Sequence, residues 1–436
     1  MKEILMLDRT TPPLTSGFRS LSLPDFSRST LPNGVELYCY SAGEEPVARI
    51  AMIWEGGLLD VEKRAALVML GEMLAEGCAG LSGKQVSDIL ETNGALFRAQ
   101  SSRQSTLITL NLLNHTAPAC LPLLASIVAE PTFPADTLES LKQKEATSRE
   151  ITLQKPVFQA NLLAAQTLYG AENPLAGYTS PQAIRRVDRE DLVDVHRRLI
   201  LGSKPAVFVS GKVDEAMLRL ISDTLGRIPF GDTGAEPVKR LTLHNAVLHN
   251  DITARKQIDG SLQTAVRIEM PAISAMHPHF DALTFTIALL GGYFGSRLMS
   301  NLREDKGYTY GVSAWIDRFV EGGSTVIACE CDNRYSADVL LQIHKEIERL
   351  ATEAVPEDEL ETVRNLCISE LASVLESPLS IATYAEQAYT YGIPRDFFAR
   401  KFRNIMALTS ADVKQMARKY ILDAAKVTAL AGNADA

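Results

Sequence analysis

Pro134-Ala-Asp-Thr-Leu-Glu139 returns as Pro356-Glu-Asp-Glu-Leu-Glu361, and at the same offset of 222 residues Pro156, Tyr169 and Gly170 find Pro378, Tyr391 and Gly392. Asp188-Arg-Glu-Asp191 opens a helical pattern that ends near Ile200, and Thr409-Ser-Ala-Asp412 opens another that ends near Ile421, now 221 residues on. The apolar run Val207-Phe-Val-Ser-Gly-Lys-Val-Asp214 is answered by Val427-Thr-Ala-Leu-Ala-Gly-Asn-Ala-Asp435. Solenoids and propellers repeat every 20–50 residues or so, so a period this long is a duplicated domain. The fold then follows from what one copy forms, and the function from where the copies differ.

Each copy reads as α+β. Residues 34–40 and 47–54 alternate as strands around a Gly-Glu-Glu-Pro turn, with further strands at 105–113 and 263–270. Helical patterns cover 62–76, with Leu67, Leu70 and Leu74 on one stripe, then 82–93, 280–290, and 138–168 broken at Lys155-Pro156. Residues 1–30 read as an irregular arm, and the Pro- and Gly-rich stretch around 229–237 as a linker. The expected organisation is an N-terminal domain over 1–228, a linker over 229–245 and a C-terminal domain over 246–436. Each domain is an antiparallel or mixed sheet packed with helices. Two such bodies close on each other as a clam-shell, with a ligand space between them.

Composition narrows the function. A chain of 436 residues, 46% apolar and 22% charged, is an ordinary soluble composition, and no window comes near the roughly 20 uncharged apolar residues of a membrane helix. A net charge of −9 without Lys/Arg clusters argues against nucleic acid. The short apolar run before Asp8-Arg9 is no secretory signal, and six cysteines without framework or zinc-ribbon spacing suit a reducing compartment, so the cytoplasm is expected. Cys329-Glu-Cys331 alternates within a strand pattern and reads as two strand cysteines.

Few residues have the spacing of chemistry. Gly291-Gly292 and Gly295-Ser296 lack the Lys-Ser/Thr of a phosphate loop and read as close-packing glycines. His277-Pro-His279 is the one close histidine pair and reads as a surface feature. Glu72, Glu76 and Glu150 read as solvated helix-face carboxylates rather than ligands of a hard cation, and no Gly-x-Ser-x-Gly elbow is present.

The run from Leu289 through Gly295-Ser-Arg-Leu298 and Arg303-Glu-Asp-Lys-Gly to Tyr310, with Leu31-Pro-Asn-Gly34, Trp54-Glu-Gly-Gly57 and the duplication, resembles the pitrilysin/insulinase family of inverted-motif zinc peptidases, including mitochondrial-processing-peptidase-like members. The resemblance spans nearly the whole chain. It implies that Arg303 and Tyr310 bind a substrate carbonyl and its oxyanion from the half opposite a metal. In the family the first copy's helix carries His-x-x-Glu-His and a further Glu about 76 residues on, the three ligands and general base that a catalytic zinc requires. Here those positions fall at Val68, Gly71 and Glu72, and at Arg149, and none of the chain's seven histidines lies in that helix.

The resemblance therefore implies a non-catalytic subunit. No metal or cofactor is expected in this chain; zinc is expected in a homologous partner chain that carries the metal motif, while this chain supplies Arg303 and Tyr310 for a peptide substrate. On its own the chain is either a monomer or a homodimer. The alternative is a structural core or scaffold subunit, or a peptide-binding protein, without a peptidase role. An independent hydrolase has no residues in its favour.

Overall fold

The computed structural model describes Thr10 and residues 17–433, so Asp435 and most of the N-terminal arm lie outside the described residues. Within them the duplication is a duplication of sheets. In the first half β1 (Ser27–Thr30), β2 (Glu36–Ser41) and β3 (Val47–Glu55) are followed by a small hairpin, β4 (Gly77–Cys78) and β5 (Leu81–Ser82), then by β6 (Leu96–Ser101), β7 (Ser105–Leu113) and β8 (Ala206–Gly211). The second half contributes β9 (Ile252–Gln257), β10 (Gln263–Ala272), β11 (Val312–Phe319), β12 (Gly322–Asp332) and β13 (Val427–Gly432). The large sheets run β1-β2-β8-β3-β7-β6 and β9-β13-β10-β12-β11. With β1 set aside the two orders correspond strand for strand, down to one parallel pair in each, β2 with β8 and β9 with β13.

Local chemistry accounts for most element ends. Ser82 with Gln85, Asp188 with Asp191 and Thr409 with Asp412 all form reciprocal capping boxes that satisfy the first free N–H groups of their helices. Pro156 and Pro378 each occupy a helix's first position, where a missing N–H is harmless, and open Pro156–Tyr169 and Pro378–Thr390. The helix expected over 62–76 is shorter, Arg64–Met73, because Lys63 brings no capping side chain and the chain soon turns into β4. Ser27–Thr30, read as irregular, is a strand: four exposed residues carry no apolar signal, yet their backbone pairs along β2 from Ser27 opposite Cys39 to Thr30 opposite Glu36.

Burial on both faces distinguishes these sheets from a simple two-layer fold. On the first sheet Leu37, Cys39, Ile50, Met52, Val207 and Val209 face the half's own core, while Tyr38, Ala51, Ile53, Ala206 and Phe208 form a second cluster on the opposite face, as the period of two requires. Helix Pro378–Thr390, from the second half, covers that opposite face with Ala385 and Tyr389. The arrangement is reciprocal. Helix Pro156–Tyr169 of the first half lies on β10 and β13, setting Ala160, Ala164 and Leu168 against Ala265, Val427, Ala429 and Ala431.

Paired charges close the seam between the halves. Arg49 donates two hydrogen bonds to Glu386, at 2.9 and 2.8 Å, and Arg103 donates two to Asp317, both 2.8 Å. Gln104 bridges as well, donating to Glu321 (3.1 Å) while its Oε1 accepts from the Val320 amide (2.9 Å). The connecting segment is pinned too: the Leu241 amide donates to Asp60 (2.7 Å), and Leu243 is buried with Leu59, Leu175 and Phe319. The space between the bodies is reduced to small polar pockets, one about 340 Å³ in volume beside Tyr169 and Glu269.

Residues 280–305, whose most apolar 18-residue window has a mean hydropathy of 1.2, form the one helical stretch among the described residues long and apolar enough to cross a membrane, which corrects the reading that no window comes near. Its side chains Leu283, Phe285, Leu289, Leu290, Leu298 and Leu302 build the core of the second half.

Two stability predictions follow from this packing. The Glu386 side chain is 5% exposed and its partner Arg49 15%, so Arg49→Met strands a buried carboxylate and should cost about 3 kcal/mol by denaturant titration, whereas Arg49→Met/Glu386→Leu should recover most of that loss. His196 is buried, with Nε2 2.8 Å from the Val128 carbonyl, and burial pushes its imidazole below the ordinary value of 6.5. The unfolded chain therefore binds this proton more readily, and stability present above about pH 6.5 is lost as the pH falls. Thermal midpoints measured between pH 7 and 5 should fall less steeply for His196→Asn than for the wild type.

Candidate functional site

The helix at the degenerate positions starts after a turn that only small residues can make. Trp54 is fully buried and donates its indole N–H to the Ile200 carbonyl (2.9 Å), and the chain then passes so close to residues 102–105 that a Cβ on Gly57 would stand 2.4 Å from the Ser102 oxygen. Gly56 supports the turn with φ +125°, a conformation side chains rarely adopt. Helix Arg64–Met73 follows, packed against β6 and against helices Ala135–Leu153 and Arg189–Val195. The helix bearing Val68, Gly71 and Glu72 thus meets the helix bearing Arg149, as the sequence spacing implies.

The side chains there are not a metal site. Val68 is half-buried against the apolar core and Gly71 brings no donor; a Cβ at Gly71 would already lie 3.2 Å from the Ala99 oxygen of β6. Glu72 is exposed. Arg149 is a cation engaged elsewhere: Nε donates to Glu145 (2.8 Å) and Nη1 to the Thr179 carbonyl (3.0 Å). Zinc needs three neutral or anionic donors, and of the ligand positions Val68, Glu72 and Arg149 only the exposed Glu72 brings one, while Gly71 leaves the general-base position empty of a carboxylate. Among the described residues no group of three His, Cys, Asp or Glu side chains is placed to hold a metal.

The second half's segment is built to present its residues outward. The helix that starts at Phe280 breaks at Gly291 (φ −159°, ψ 18°), and a turn leads into Arg297–Met299 and the wider turn Ser300–Asp305. Arg297 anchors that turn with two 2.8 Å bonds to Glu359. Beyond it the Tyr308 amide donates to the Leu302 carbonyl (2.9 Å) and the Tyr308 ring stacks on Tyr335 at 4.4 Å. Arg303 and Tyr310 flank this fixed point. The Arg303 guanidinium lies over the Phe294 ring, 4.3 Å from its centroid, and pairs with no carboxylate among the described residues. Tyr310 is 94% exposed. Both belong to one turn, but no hydrogen bond joins them to each other among the described residues. Phe294, itself 62% exposed, escaped the sequence reading; its only signal was a bulky aromatic inside a glycine-rich run.

The remaining candidates have structural explanations. Cys329 and Cys331 are buried on β12, where burial pushes both thiols up, that of Cys331 to about 11. His279 Nδ1 lies 2.9 Å from the Tyr420 hydroxyl, and His277 packs against His279 in the turn that starts the Phe280 helix. Glu150 accepts a 2.7 Å bond from Arg185.

Comparison with known proteins identifies the family. The model of the insulinase family, peptidase family M16, matches residues 69–177, and that of the peptidase M16 inactive domain matches 186–367. The chain belongs to the M16 family. It is 23% identical over 407 residues, 90% of each chain, to an uncharacterized zinc protease of Mycobacterium bovis, and 25% identical over 279 residues, 61% of each, to a non-peptidase homolog of Helicobacter pylori. The crystal structure of a peptidase M16 inactive domain from Pseudomonas fluorescens superimposes with a TM-score of 0.83 at 22% identity, covering 94% of this chain and 98% of that one. At such identity the likeness is one of fold. With its ligand positions held by Val68, Glu72 and Arg149 and its general-base position by Gly71, this is an inactive-type M16 chain.

Zinc titration of the purified protein should therefore show no stoichiometric site. Arg149→Glu alone should not create one, because Glu72 and the new carboxylate make only two donors and Val68 offers none at the third position. Calorimetry that registered one tightly bound zinc per chain would contradict this assignment.

Proposed function

We propose that the chain is the non-catalytic subunit of a two-chain zinc peptidase, and that Arg303 and Tyr310 act on a peptide held at the zinc site of a homologous partner chain. One observation carries the reading: Tyr310 projects into solvent, and Arg303, laid on the Phe294 ring, has no carboxylate partner among the described residues. A surface arginine ordinarily finds a carboxylate. Arg303 instead lies on Phe294, which restricts its rotamers while leaving the N–H edge of the guanidinium for an incoming acceptor. Tyr310 adds a phenolic donor from the same turn.

Donors aimed at a carbonyl whose oxygen gains charge stabilise the transition state more than the ground state. Arg303 supplies a guanidinium with several N–H donors, and Tyr310 a phenolic O–H. Their part is to bind and polarise; no proton transfer needs to be assigned to either. Folding alone gives little reason to keep Tyr310 so exposed, since it buries almost no area, and Arg303, packed on Phe294, still leaves its charge without a carboxylate among the described residues.

The test is reconstitution with a homologous chain bearing His-x-x-Glu-His from the same genome. The mixture should cleave an unstructured peptide that neither chain cleaves alone. Arg303→Ala and Tyr310→Phe should each lower kcat by roughly 10²–10³, the cost of one oxyanion donor, without changing the partner's zinc content. Full activity of the Arg303→Ala/Tyr310→Phe double variant would instead favour a scaffold role.

A further inference from the structure

A second site lies on the other side of the molecule from the sheet cores, where the N-terminal arm, the outer face of the first sheet and two helices of the second half enclose a cavity of about 350 Å³. Its walls are aromatic: Phe26 from the arm, Tyr38 and Phe208 from β2 and β8, Tyr384 and Tyr389 from helix Pro378–Thr390, and Phe398 from helix Phe397–Ala407. Core aromatics elsewhere in the chain close on one another; here they stop short and leave a space of ligand size.

Strand register sets the arrangement. Arg28, Tyr38 and Phe208 are opposite one another across β1, β2 and β8 and form one row on the sheet. Tyr38 and Phe208 stack face to face with centroids 4.7 Å apart and planes 10° apart, so one wall of the cavity is a stacked pair of rings. Tyr389 meets Phe208 edge-on (5.7 Å, 69°), Phe26 meets it from the arm (6.1 Å, 72°), and Tyr384 stands perpendicular to Phe398 (5.1 Å, 89°). Such edges and faces take a flat ring well.

The rim charges are unequally engaged. Asp25 pairs with Arg395, and Asp396 lies 3.9 Å from Arg400. Glu36 accepts the Tyr38 hydroxyl (2.7 Å); burial and that carboxylate together push the phenol up to about 12, so it stays a neutral donor. Arg28 alone, its guanidinium 5.0 Å from the Tyr38 ring centroid, has no carboxylate partner among the described residues. A cation over an aromatic ring, without its own counter-ion, selects an anion whose body is flat and apolar.

We infer that this cavity binds a small aromatic carboxylate, with its ring among the aromatic walls beside the Tyr38–Phe208 stack and its carboxylate on Arg28. Because the walls come from both halves, an occupant also ties the halves together and stabilises the folded chain by mass action. The site is independent of Arg303 and Tyr310, and its test needs no partner chain.

Calorimetry and thermal unfolding with indole-3-acetate, neutral indole and cationic tryptamine read the inference directly. One equivalent of indole-3-acetate should bind, about tenfold tighter than tryptamine, and raise the unfolding midpoint. Arg28→Gln should weaken the acetate about tenfold while leaving indole unchanged, the share expected of one charge-assisted contact. Ala388→Trp, which fills the cavity, should abolish binding of all three; if that variant fails to fold, Phe26→Ala, which removes a wall on the arm, should weaken all three. No binding at about millimolar ligand, equal affinity for tryptamine, or indifference to Arg28→Gln would each overturn the assignment.

Discussion

Each sheet in this chain has two apolar faces, and a half has helices enough to cover only one of them. The remaining face of the first sheet, built around Tyr38, Ile53 and Phe208, is covered by the second half's helix Pro378–Thr390, and the alanine-rich face of β10 and β13 is covered by the first half's helix Pro156–Tyr169. Exposing either face would return several large side chains to water at about 25 cal/mol per Å², so neither half is expected to be stable without the other. That mutual cover explains why the seam is so rich in paired charge. Arg49, Glu386, Arg103 and Asp317 surround the crossing helices and strands, where a charge left without its partner would be costly.

The same constraint shapes the interior. A shell of two free bodies would offer one broad cleft. Crossing helices divide that volume, leaving a polar pocket near Glu269 and an aromatic cavity where the arm passes over the sheet. The donors of the Arg303 turn are on the outside of the second half, held by Arg297–Glu359 and by the Tyr308–Tyr335 stack rather than by anything in the first half.

Much of this was legible in the residues. The 222-residue offset, the three capping boxes and the strand at 105–113 are local patterns whose physics does not depend on the rest of the chain. The missing zinc donors were legible too, since absence of His at fixed spacing needs no coordinates. What was hidden depends on partners far away. β1 is a strand only because β2 offers it an edge; β6 alternates weakly because it lies at the sheet's rim; the membrane-like run 280–305 is apolar because it is a core. Pro156 and Pro378 announced their helices plainly, but nothing in either amphipathic pattern says which half's sheet it will cover. Phe294 beneath Arg303 was equally silent, being nine residues away across a turn.

The halves have diverged in opposite senses, and the physics of each change is different. In the first, positions of the metal motif became a packed valine, a glycine under β6 and an arginine tied to Glu145 and Thr179, substitutions that settle a helix pair which would otherwise carry unpaired donors into the protein. Stability favours such replacements once no metal is there to neutralise clustered ligands. In the second, Arg303 and Tyr310 contribute unequally to the fold: Arg303 is partly buried over the Phe294 ring, while Tyr310 projects into solvent. The first half's positions therefore complete its packing, whereas Tyr310 leaves its hydroxyl to water.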